Sequence, residues 1–244
     1  MSNLINYTLH LADNALILGQ RNTEWCGHGP ILEQDIAITN ISLDLVGQAR
    51  SFYQYAAQLK ADGSTEDSLA YLRTERDFKN CLLVEQPNGD WAQTILRQFL
   101  FSSYQYFLYQ ELQKNSDETL AAIAEKSLKE VSYHLRWSSE WVIRLGDGTD
   151  ESHSRILKAI DELWRYTGEL FIPVEYEKEA GVDVSLLKND WSEKVKAVLT
   201  EATLPVPENI FMQTGGKTGT HTEHLGYILT ELQYVQRAYP GCEW

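Results

Sequence analysis

The 244-residue chain is long enough for one large domain or two small ones, and with 43% apolar and 23% charged residues it is not a disordered sequence. Its 21 Lys and Arg against 35 Asp and Glu leave a net charge of −14, which argues against nucleic acid and anionic membrane as partners, since both recruit clustered cations. The N-terminal stretch has no basic segment or continuous apolar run, and no window approaches the roughly 20 apolar residues of a membrane span. Three scattered cysteines, Cys26, Cys81 and Cys242, read as reduced thiols of a cytoplasmic protein.

Helical periodicity runs through the whole chain, with no convincing alternating strand. A first helix is predicted from about Leu4 to Gln20, burying Ile5, Leu9, Ala12 and Leu16. After Trp25-Cys26-Gly27-His28-Gly29-Pro30 comes a long helix, Glu33 to Lys60. Its Ile36, Ala37, Ile38, Ile41, Leu43, Leu45 and Val46 cover most of the circumference, which predicts a central, buried helix. A short charged helix follows from Glu66 to Phe78. Asp90, after the turn Pro87-Asn88-Gly89, is an N-cap for a helix to about Lys114, and Ser116 or Asp117 caps one ending at Gly146. Further helices are predicted over Ser152–Phe171 and, more weakly, Asp183–Glu201. The Gly215–Gly219 stretch reads as a flexible lead into a last helix, Thr220 to Tyr239. Short links between long helices predict an all-α fold, a single antiparallel bundle over residues 1–244.

Polar lines cross these apolar helices: Asn40, Asp44 and Gln48; Thr94, Gln98, Ser102 and Gln105; Glu130, His134 and Ser138; His224 and Glu231. Spacings of four or seven keep each line on one face. Such lines either converge on a metal or form a hydrogen-bond network that fixes helix register. A di-iron centre in a bundle takes about four carboxylates and two histidines, two helices each supplying Glu-x-x-His. Only His153 has a carboxylate three residues earlier, Asp150, and the helix through Gln98 offers only Thr, Gln and Ser. The ligand count therefore predicts no di-iron site here, and no metal-binding or catalytic residue is assigned. Degenerate core positions are Asp44, Gln48, Gln98, Glu130, His134, Glu169 and His224.

Several stretches are similar to a known family: Glu24–His28, Asn40–Arg50, Leu83–Gly89, Lys129–Arg136, Leu163–Thr167, and Gly215-Gly216-Lys217 leading to His221–Gly226. In order and over nearly the full length, they resemble the C subunits of multicomponent phenylacetyl-CoA epoxidases. The resemblance implies a ferritin-like bundle with extra helices, pairing with a homologous catalytic A subunit that holds the di-iron centre and the phenylacetyl-CoA pocket. It also implies a small B subunit and a flavin (FAD)/iron–sulfur reductase using NADPH. The C subunit is then a structural partner that binds no cofactor itself, its Glu130 and His134 former ligands turned network members.

Gly215-Gly216-Lys217-Thr218 is not a phosphate-binding loop, because the required earlier Gly is replaced by Phe211 and no strand precedes it. Lys217 beside a helix N-terminus is a candidate contact for an anion or a partner carboxylate. His221 with His224, and Cys26 with His28, each lack partners for a zinc site. The leading expectation is a non-catalytic scaffold in an O₂-dependent aromatic-CoA epoxidase. Its rival is an oxygenase or oxidase with an irregular metal centre of Asp44, Glu130, His134, Glu169 and His224. A binding module unrelated to any oxygenase is the third class.

Overall fold

The computed structural model describes residues 3–242; Met1 and Ser2 of the N-terminal stretch, with the last two residues, lie outside them. Among the described residues there are ten α-helices and no strand: α1 Asn3–Thr23, α2 Leu32–Lys60, α3 Glu66–Tyr71, α4 Leu82–Glu85, α5 Trp91–Leu112, α6 Glu118–Gly146, α7 Asp150–Leu163, α8 Glu175–Glu179, α9 Lys188–Glu201 and α10 Glu223–Ala238. The fold is all-α and ferritin-like, with helices beyond the long ones. Two compact units share the chain, Met1–Gln86 with Gly215–Trp244, and Pro87–Thr214.

The first unit is built on α1 and α2. Tyr53 donates to Asp13 at 2.6 Å, and Gly19 backs onto Leu45 and Val46, so the two helices run antiparallel. Ile5, Leu9, Ala12 and Leu16 are buried as the periodicity requires. The expectation that α2 is buried all round is corrected. Ala37, Ile38, Ile41 and Leu45 are buried, but Ile36, Leu43 and Val46 face solvent. Apolar residues around a helix show what could be covered; only the position of neighbouring elements decides what is covered. The helix after Thr65 is also shorter than predicted, ending at Tyr71. A separate 3₁₀ turn, Glu75–Asp77, follows, in which Thr74 and Asp77 cap each other.

The second unit pairs α5 with α6. Asp90 accepts from the Gln93 N–H at 3.1 Å and Asp117 from the Leu120 N–H at 2.9 Å, so both expected caps form and Asp117 is the one chosen. Trp91 meets Trp137 and Trp141 edge-on, with centroids 6.1 and 6.2 Å away, pinning the start of α5 to the end of α6. The α9 indole of Trp191 donates to the Leu100 carbonyl at 3.0 Å while packing at a tilt against Trp164 and Phe171. The helix expected to reach Phe171 stops at Leu163 and continues as two 3₁₀ turns. There the Thr167 hydroxyl donates to the Trp164 carbonyl, and Gly168 gives up its side-chain space to Met212. Helix α8, not predicted, follows Pro173 and starts where the Glu177 carboxylate accepts from the Val174 N–H.

Candidate functional site

The expected core positions divide between the units. In the first, Asp44 and Gln48 share a turn of α2: Asn40 at the start of this line is exposed, Asp44 half-buried and Gln48 buried. His224 is half-buried at the start of α10, and Glu231 further along is exposed, so that line does not stay inward. In the second unit Thr94, Gln98, Ser102 and Gln105 form a polar line buried along its length, with the Gln98 amide donating to Ser102 at 2.7 Å. Half-buried Glu130 and buried His134 share a turn of α6. Burial, with a smaller push from the Glu130 charge, raises the Tyr109 phenol, which places Glu130 near α5. Glu169 is buried in a 3₁₀ turn. Two of these positions, Gln48 and Gln98, are neutral amides, poor ligands beside carboxylates for iron. Among the described residues no three His, Cys, Asp or Glu side chains are grouped to hold a metal ion.

The densest polar site lies elsewhere in the first unit and was not anticipated. Glu85, the last residue of α4, is fully buried. One of its oxygens accepts from the Thr222 N–H at 2.7 Å and the Thr222 hydroxyl at 2.8 Å; the other accepts from Asn80 and from His221 Nδ1, both at 2.8 Å. His221 Nε2 faces the Phe78 carbonyl at 3.0 Å. A carboxylate and a carbonyl can only accept, so both ring nitrogens donate and the imidazole is held as its cation. Burial alone would lower its pKa, but the hydrogen bond and charge of Glu85 outweigh it and raise the value. With four donors on Glu85 this is a closed ion pair that fastens the α10 N-terminus, leaving no free oxygen for a metal.

A second network adjoins α1. Buried Asp13 pairs with Arg73 and accepts from Tyr53 and from the Lys79 N–H at 2.8 Å, while the guanidinium lies 4.2 Å from the Phe78 ring centroid. Neighbouring Asn14 accepts from the Cys81 N–H at 2.8 Å. His10 donates from Nδ1 to the Lys79 carbonyl at 2.7 Å, and burial together with the nearby Lys217 charge lowers its pKa to about 3. These contacts lay residues 73–85 along α1.

Lys217, the expected anion contact, is turned inward and only 2% exposed. The expectation of a flexible glycine stretch is corrected. A Cβ on Gly216 would strike the Asn80 carbonyl, and Gly219 has φ +85° with the Arg76 carbonyl beneath it. The turn is close-packed, and its glycines are there because backbone meets backbone. One signal of this core was legible: Asp13-Asn14 interrupts an otherwise apolar run in α1. Glu85 and His221 are 136 residues apart, and nothing local joins them.

The sequence profile of the family described as phenylacetic acid catabolic protein matches residues 1–244. The chain is also 50% identical, over the full length of both proteins, to the C subunit of the 1,2-phenylacetyl-CoA epoxidase of Escherichia coli strain K12. The chain belongs to the phenylacetic acid catabolic protein family. Two of the stretches that carried the resemblance, around Glu85 and from Gly215 to Gly226, are the ones the Glu85–His221 pair ties together. In this family member the distinctive residues thus include a buried structural lock.

Proposed function

We propose that this chain is the structural, non-catalytic subunit of a 1,2-phenylacetyl-CoA epoxidase in bacterial phenylacetate breakdown. It pairs with a homologous catalytic subunit that holds the di-iron centre, beside a B subunit and an NADPH-dependent FAD/iron–sulfur reductase. The observation that carries this reading is the full-length 50% identity to a protein named as the C subunit of that enzyme. The non-catalytic part is supported by the donor set: amides at Gln48 and Gln98, an exposed Glu231, and Glu85 committed to four donors. These residues do not suit a carboxylate-bridged metal pair. Exposed unpaired thiols at Cys26 and Cys242 suit a reducing cytoplasm, and no helix among the described residues is long and apolar enough to cross a membrane.

The test is iron and zinc per chain, on protein purified alone from iron-replete cells, with the partner checked by co-expression. The expected result is metal far below one ion per chain, co-purification with the catalytic homologue, and epoxidation only in its presence. Two irons per chain would make this protein an oxygenase or oxidase itself, the rival reading. Failure to associate at physiological salt would end the scaffold role.

A further inference from the structure

Helix α2 carries two apolar faces. One, through Ile38, Ile41, Leu45 and Phe52, is buried within the first unit. The other runs through Leu32, Ile36, Leu43 and Val46, with half-buried Thr39 between Ile36 and Leu43 completing steps of four, three, four and three. Leu32 is 71% and Leu43 64% exposed, with Ile36 and Val46 exposed beside them. A helix serving one core needs one stripe. This second stripe keeps the 3.5-residue repeat that seats another helix, over a length of roughly 21 Å. Just past it, Gly47 has open space where a Cβ would stand, which lets a neighbouring backbone come close.

We infer that this seam is a docking surface for a helix of a different, less acidic chain of the same complex, an inference that rests on the subunit reading above. The repeat selects a helix over an extended segment, because knobs spaced this way fit only a partner of matching period. Charge selects the kind of chain. Glu33 and Asp35 stand on either side of the N-terminal half of the seam, Arg50 lies on the seam line one turn past Val46, and the whole chain carries −14. Two copies carrying −14 each repel as whole molecules, whereas a less acidic helix with an apolar seam, bearing Lys or Arg where it meets Glu33 and Asp35, fits both the stripe and its acidic end.

The test mixes the full chain with the homologous catalytic subunit and follows the complex by sedimentation velocity. The variants are I36D/L43D, the milder I36S/L43S, and L186D, an equally exposed leucine of the other unit. Far-UV melting of each variant alone reports folding. Both seam variants should melt like wild type, with I36D/L43D binding at least about thirtyfold more weakly; L186D should bind normally. Unchanged binding by I36D/L43D would overturn the docking site while leaving the subunit reading intact. Wild-type self-association abolished by the same changes would make the occupant a second copy and overturn the choice made here. No binding by wild type would remove the subunit reading and this inference together.

Discussion

Two histidines of the first unit hold opposite charge states, and the packing around each explains why. His10 is enclosed near Lys217 and stays neutral; His221 faces Glu85 and the Phe78 carbonyl and stays charged. For His221 the folded pKa is raised, so its contribution to stability is complete below about pH 6.5, the unfolded value, and is lost as pH climbs through the folded value. For His10 the folded pKa is depressed, so its contribution is complete above about pH 6.5 and is lost on acidification towards pH 3. Together they favour a stability maximum near neutrality. In urea titrations the H221Q variant should fall furthest below wild type below about pH 6.5, with the gap closing as pH rises through the raised folded value. A gap independent of pH would mean that His221 is neutral in the fold. Gly216 is constrained by sterics rather than charge. The Gly216→Ala change should cost about 1–3 kcal/mol in the same titration, because neither the Asn80 carbonyl nor the Leu82 N–H can move without breaking the lock beside it.

Among the elements, the long helices obey their local signals most closely. Asp90 and Asp117 each accept one backbone N–H at a helix start, so Asp90→Ala and Asp117→Ala should each lower unfolding free energy by about 1 kcal/mol. Because the two caps touch different residues, their effects should add, and a double variant by calorimetry checks this. The short elements were illegible for a physical reason. Helix α4 has four residues and α8 five, fewer than any periodicity needs to declare itself. Their existence depends on Glu85 and Glu177, whose side chains bond to backbone N–H groups, that of Thr222 for the first and of Val174 for the second. The end of α7 at Leu163, eight residues before the predicted end at Phe171, belongs to the same class, where a hydroxyl and a neighbouring methionine pack the chain into 3₁₀ turns.

At the scale of the whole molecule, a chain that binds a catalytic partner only when folded is stabilised by mass action. At a partner concentration about a hundredfold above the dissociation constant, this protein should gain about 2.7 kcal/mol, read as a higher melting temperature than the chain shows alone. The all-α class, the approximate boundaries of the four longest helices, the caps of α5 and α6, the absence of Glu-x-x-His and the family were all written in the linear order of residues. Each of these depends on neighbours within about one or two helical turns, or on motifs read as strings. Tertiary structure alone decided that Ile36, Leu43 and Val46 face solvent, that Lys217 points inward, and that Glu85 meets His221 across 136 residues of chain. Burial and long-range pairing are set by which surfaces end up against each other, and no local pattern of apolar or charged residues encodes that choice.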